Sequence, residues 1–446
     1  MAGKIPPSSS GSLMHPNLSF EQAPPLSVPY RFFMTAPWFG VAAGLLLAWQ
    51  GADALASRWT PVALALTHLI VAGFMLQAMC GALLQFVPVA AGGNVRHPRA
   101  LATFTHPLLA LATVCLATAF ITGAAVLFVV AALIFALAIG TYVIVVGYAL
   151  LRTPARGATL QALRLAVAGL AVTAILGVAL ALALGCGWQW LFVEITNVHA
   201  AWGLGGWALT LLMGVSFHVV PMFQLTPPYP VRLAAALPLA MVVMLTLWSW
   251  QIVGEAAIWQ RAAMLGANLL AAVYAATTLL LQARRRRKLV DPTLIFFRGA
   301  MVSVLLFAVS SVGFAIDADA AADPRAALWL GMLAIPGVFI SAITGMLYKI
   351  VPFLNWLHLQ RIGGLGIPPP NMRDMIAESA MNGQMRLHFI ALTVLLLAIP
   401  MPQLTRLAGI LFAASCFWLG LNLAGGLRVY LRGRKRIVAN AGGGAS

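Results

Sequence analysis

Two histidines stand within long apolar stretches: His68 in THLIVAGFMLQAMCGALLQFVPV and His199 in VEITNVHAAWGLGGW. A neutral imidazole in such surroundings suits haem iron or copper, and it also serves as a hydrogen-bonded packing residue. A second set comprises His106, His218 and His388, with His97 and His358 in adjoining connections. His199 and His218 lie 19 positions apart, about 28 Å along a helix rising about 1.5 Å per residue, so they cannot share a site. The second set together with Lys349 offers an inner metal or haem site. The alternative is that these are ordinary interfacial residues at helix ends. Glu194, Thr196 and Asn197 precede His199, where a carboxylate either orients an imidazole and carries protons or stands solvated at a helix mouth. No Ser-His-Asp, HExxH, Walker or dinucleotide-binding pattern occurs, so soluble-enzyme chemistry has no support. Cys80, Cys115, Cys186 and Cys416 lack CxxC spacing and read as small apolar packing residues.

The elements that must position these groups follow from composition. With 62% hydrophobic and 8% charged residues in a chain of 446, the protein departs from soluble globules, in which about a quarter of residues are charged. It is expected to be an all-α integral membrane protein. A span needs about 20 mainly apolar residues. Stretches of that kind lie near 34–50, 62–88, 101–120, 124–151, 159–185, 192–222, 232–252, 258–282, 293–316, 326–353, 386–402 and 404–430. Lys and Arg prefer the cytoplasmic side. With both termini inside, all 27 fall inside or at inner helix ends except Arg58, Arg261, Arg325 and Arg406. The run Arg284, Arg285, Arg286, Arg287, Lys288 is then cytoplasmic, and Asp53, Glu255, Asp317, Asp319 and Asp323 face outward. The net charge of +17 follows from this sorting and from contact with anionic lipid, so nucleic-acid binding is not expected. Residues 1–30, rich in Pro and Ser, read as a disordered cytoplasmic tail, 31–436 as one membrane domain and 437–446 as a flexible C-terminal tail.

A short phrase recurs in three of the spans. Gly73, Gly81 and Pro88 are spaced 8 and 7 apart, as are Gly206, Gly214 and Pro221, and Gly337, Gly345 and Pro352. The prolines are separated by 133 and 131 positions, which implies three copies of a four-helix unit, approximately 31–151, 159–282 and 293–430. The glycines allow close helix approach, and the proline is expected to end each helix at the cytoplasmic surface. Gln85, His218 and Lys349 occupy equivalent places three residues before the proline. They are either snorkelling interfacial residues or a polar ring around a pseudo-threefold axis.

Twelve helices in three four-helix arcs, with the second helix reading as quoted, resemble the main subunit (subunit I) of haem-copper oxidases and nitric oxide reductases. An early histidine followed by Gly, Gly and Pro also resembles the NnrS family of haem- and copper-containing membrane proteins. The resemblance implies that His68 holds a low-spin haem and that His199 binds copper. It also implies departures: an active oxidase carries a histidine pair on helix 7 and further histidines on helix 10, and neither VRLAAALPLAMVVMLTLWSW nor LWLGMLAIPGVFISAITGMLYKIVP contains one. A second axial ligand would then be His199, Met75, Met79 or none.

The expectation is a degenerate relative of that subunit in the bacterial inner membrane, with one haem b, one copper or neither. Its role would be electron transfer, a redox or nitric-oxide response, or metal and haem handling, without competence to reduce oxygen. The implied partners are a c-type cytochrome or respiratory-complex subunits, besides the bilayer. Two other readings remain open: a transporter or channel whose arc pores are lined by Gln85, His218, Lys349 and Glu194, and a cofactor-free structural subunit.

Overall fold

The computed structural model describes residues 23–188, 192–250, 257–286, 289–363 and 368–443. Among these residues there are helices and short connections and no strand. Twelve helices are long and apolar enough to cross a bilayer. They are α1 (Ser27–Leu55), α2 (Pro61–Ala90), α3 (Pro98–Thr122), α4 (Ala125–Arg152), α5 (Ala158–Cys186), α6 (Phe192–Gln224), α7 (Val231–Ser249), α8 (Ile258–Ala283), α9 (Pro292–Ile316), α10 (Pro324–Gly363), α11 (Glu378–Leu397) and α12 (Pro402–Ala439). Helix is the form that satisfies every backbone group within one segment in hydrocarbon, where no water is present to do so. The chain is a multi-pass membrane protein in a bilayer environment.

Several starts are written locally. Thr60, Asp291 and Asp323 each accept a backbone N–H of the next helix, from Ala63, Leu294 and Arg325 respectively. A proline follows each of the three, where its missing N–H costs nothing. Other boundaries differ from those read off the sequence. α11 begins at Glu378 and ends at Leu397, not at 386–402, because Glu378 and Arg386 belong to a polar helical end that an apolar window omits. The helix of α12 continues to Gly443, past the 436 expected to close the membrane domain. Of the two expected tails, residues 1–22 and 444–446 lie outside the described residues, as do Glu255, Arg287 and Lys288.

The three helices carrying the repeated phrase are also the most enclosed. Within their most apolar windows 67% of α2, 61% of α6 and 67% of α10 is buried, against 28–50% for the other nine. Those nine form a closed ring of contacts in the order α1, α3, α4, α5, α7, α8, α9, α11, α12 and back to α1. The first and last helices pack extensively together. Helices α2, α6 and α10 are thus the inner layer, each held by neighbours from the ring.

The glycines of the phrase set the approach of those neighbours. A Cβ at Gly81, Gly214 or Gly345 would lie 2.7 Å from the Cβ of Phe32, Ala162 or Phe296 respectively. Two turns toward the N-terminus of each inner helix, Gly73 meets Phe39, Gly206 meets Gly169 and Gly337 meets Ser303, each partner seven residues after the first. Helices α1, α5 and α9 therefore pack on α2, α6 and α10 in one register. Around the first glycine of the phrase, the inner helices share another feature. Each contains a π-helical stretch, Leu69–Met75, Trp202–Leu209 and Leu333–Ile340, and each stretch starts 19 residues before the proline of its phrase.

The prolines stand at the ends of two of these helices but not of the third. Pro88 and Pro221 fall in the last turn of α2 and α6, and α10 continues beyond Pro352 to Gly363. A proline removes its own N–H and crowds the carbonyl four residues earlier. Inside a membrane bundle, neighbours and small adjustments of the turn can absorb that loss, as in α10.

Candidate functional site

Inner helices α2 and α6 carry His68 and His199 into one place. The ring centroids are 6.4 Å apart and the planes differ by 16°. His68 is the last residue before the π stretch of α2, and His199 lies three residues before that of α6. A π turn widens the helix locally and is frequent at functional sites.

Each imidazole is held by a backbone carbonyl. His68 Nδ1 donates to Leu64 O at 2.8 Å, and His199 Nδ1 donates to Thr173 O of α5 at 3.0 Å. A carbonyl only accepts, so Nδ1 carries the proton in both rings and a neutral imidazole is left with a lone pair on Nε2. No hydrogen bond reaches either Nε2 among the described residues. This arrangement, an orienting bond at one nitrogen and a lone pair at the other, is how metal-bound histidines are prepared.

The walls are aromatic and tightly fitted. Phe120 of α3 lies 5.2 Å from the His68 ring and is itself braced edge-on by Phe128 of α4 at 5.2 Å. Gly177 of α5 lies under His199, where a Cβ would come within 2.7 Å of Cε1. Helices α3 and α5, from the outer ring, thus close the site on two sides.

The other histidines are not gathered with these two. Thr35 Oγ1 donates to Arg31 O at 2.8 Å, so at its 2.8 Å contact with His106 it accepts from Nε2–H. Ser341 Oγ donates to Pro336 O at 3.2 Å and likewise accepts from His388 Nε2–H at 2.8 Å. In both rings the proton sits on the nitrogen opposite to that in His68 and His199. His218 lies 3.5 Å from Thr159 Oγ1 and edge-on to Phe86, and His358 contacts Tyr430. Among the described residues, no group of three or more His, Cys, Asp and Glu side chains stands close enough to hold a metal ion.

The three residues before the prolines have separate surroundings. Gln85 is buried and its Oε1 has no partner among the described residues. Lys349 is paired with Asp291 of the α8–α9 connection at 2.7 Å. Burial alone would raise the Asp291 pKa. Hydrogen bonds from Lys349, Thr293 and the Leu294 N–H, with the lysine's charge, outweigh that and hold it below the ordinary carboxylate value. Glu194 lies in the first turn of α6, and the partner of His199 is Thr173, not Glu194. Met75 and Met79 are buried in α2.

Sequence reasoning missed four contributors. Asp291 precedes Pro292 at the start of an apolar run, which is a readable cap signal. Phe120, Thr173 and Gly177 carry no local signal, because only the approach of α3 and α5 to the inner helices gives them a role.

Two imidazoles with unbonded Nε2 atoms among the described residues are candidate ligands. With a metal–nitrogen bond of about 2.0 Å and each centroid about 1.1 Å behind its nitrogen, two imidazoles that shared one ion would have their centroids at most about 6.2 Å apart. The observed separation is 6.4 Å with the rings stacked, close to that limit.

No protein-family model matches this chain, and no curated protein matches it.

Proposed function

We propose that the chain is a membrane electron-transfer or redox-responsive protein that holds one haem b, or one copper ion, between His68 and His199. The observation that carries this reading is the pair of imidazoles at 6.4 Å with both Nδ1 protons fixed on carbonyls. Haem iron or copper, when bound there, would supply one-electron chemistry, and His68 and His199 are the residues that would hold it. The chain's own residues do the rest. Leu64 and Thr173 fix the tautomers, Phe120 shields one ring, and Gly177 leaves room for the other. His68 is therefore paired with His199, and the copper role that the oxidase resemblance gives His199 becomes one of two alternatives for a shared centre.

The same reading places α1–α4, α5–α8 and α9–α12 as three copies of one unit about a pseudo-threefold axis. Its support is the recurring glycine contacts and the π stretches at one register. It keeps the resemblance to a degenerate haem-copper oxidase main subunit or an NnrS-like protein, in a bacterial inner membrane with both termini cytoplasmic and a c-type cytochrome or respiratory-complex subunit as partner. The absence of histidines from α7, and from α10 up to Pro352, removes the ligands of a second reaction centre, so oxygen reduction is not part of the proposal.

Purified protein tests it through a reduced-minus-oxidised visible spectrum with haem and metal analysis. The proposal expects one equivalent of haem b with a sharp α band, or one equivalent of copper. Protein expressed with haem precursor and copper that retains neither would overturn it.

A further inference from the structure

Away from the histidine pair, a cavity of about 120 Å³ lies among α1, α2, α10, α11 and α12. Leu47, Leu66, Ile335, Leu395 and Phe412 make its wall almost wholly apolar, and Arg58 is the one cation in it. Arg58 belongs to the connection between α1 and α2. Its guanidinium lies 4.4 Å from the Trp59 ring, and no carboxylate pairs with it among the described residues. Burial pulls its pKa below the ordinary arginine value, which marks a charge partly stripped of water. Such a charge calls for a counter-anion.

The level of the site in the bilayer can be read from its neighbours. Trp49 and Trp59 are 81% and 36% exposed, and tryptophans of this kind sit at the membrane–water interface. Arg58 therefore stands at the level of lipid phosphates, with the apolar cavity beside it. A space of this size takes an apolar body about as large as benzene, which is a length of acyl chain rather than a whole cofactor.

We propose that this cavity is a phospholipid site in which the lipid phosphate pairs with Arg58 and a stretch of acyl chain fills the space between α2 and α10. Guanidinium matches phosphate through paired N–H donors. The lipid bridges the first repeat to the last, where the ring of helices closes. The site is independent of the histidine pair and holds in either orientation of the chain.

Gly331 gives a test that does not rely on the arginine. It lines the cavity, and a Cβ there meets nothing within 4 Å, so Gly331→Leu fills the space without displacing a helix. The full chain in detergent is titrated with dioleoyl phosphatidylglycerol and read by native mass spectrometry, beside Arg58→Gln, Arg58→Lys and Gly331→Leu. The wild type and Arg58→Lys retain one lipid, while Arg58→Gln and Gly331→Leu each weaken retention about tenfold or more. Dioleoylglycerol, which lacks the phosphate, and glycerol phosphate, which lacks the chains, bind the wild type no better than the weakened variants. Unchanged retention in Arg58→Gln and Gly331→Leu overturns the proposal. So does binding of either partial ligand as tight as that of the phospholipid. Melting temperatures without lipid verify folding, and if Arg58→Gln does not fold, Gly331→Leu decides.

Discussion

Thr173 shows how much of the site depends on a single backbone atom. Its carbonyl fixes the tautomer of His199, and the adjoining Gly177 leaves the ring its place. Replacing Gly177 with valine would drive Cβ into Cε1 and force the imidazole aside, at a cost of about 1–3 kcal/mol in packing. The expected outcome is loss of most bound haem or copper with the helical content kept, checked by metal and haem analysis beside circular dichroism. Asp291 makes a different prediction, about pH. Its folded pKa is depressed, so its stabilising effect is complete above the ordinary carboxylate range and is lost as pH falls through the folded value. Asp291→Asn keeps the cap acceptor but loses the ion pair with Lys349, and should lower stability by about 1 kcal/mol at pH 7. Thermal unfolding should also show a smaller loss for this variant than for the wild type between neutral and acid pH. His68 and His199 were legible as candidates because imidazole in an apolar span is conspicuous. Their partners were not, since a carbonyl on another helix leaves no mark in composition or spacing.

At the scale of helices, packing distance is the controlling quantity. Gly169 of α5 rests on the carbonyl of Gly206, a contact between two backbones that no rotamer change can relieve. Gly169→Leu should therefore push α5 from α6, lower the melting temperature by several degrees and weaken cofactor retention, because Thr173 moves with α5. Gly140 of α4 is the control, since a Cβ there meets nothing within 4 Å. Gly140→Ala should leave the melting temperature unchanged or raise it, as alanine favours helix by up to about 1 kcal/mol. The twelve helices were readable from apolar length, and the register of α1, α5 and α9 was foreshadowed by the glycine spacing. The π stretches were not, because one added residue in a turn is decided by tertiary packing. Nor was the course of α10 past Pro352, where the usual helix-breaking tendency of proline is overridden within the bundle.

For the molecule as a whole, three inner helices surrounded by nine join residues far apart in sequence, and the histidine pair is where inner helices α2 and α6 meet. Orientation belongs to this scale, and the basic residues predict it. In a cysteine-free variant, a cysteine at Asp319 should react with an impermeant thiol reagent added outside cells. One at Arg286 should not, and the reverse pattern would invert the chain. The twelve spans were visible in the apolar stretches, but the approach of His68 to His199 was not, because sequence places them only at similar depth. The proposed sharing of one centre is most directly tested by the cofactor content of four single variants purified alongside the wild type. His68→Ala and His199→Ala should each abolish the bound haem or copper, while His106→Ala and His388→Ala, which lose a hydroxyl bond and aromatic packing away from the pair, keep it in full. Full cofactor content in His68→Ala, or its loss in His106→Ala or His388→Ala, would contradict the account.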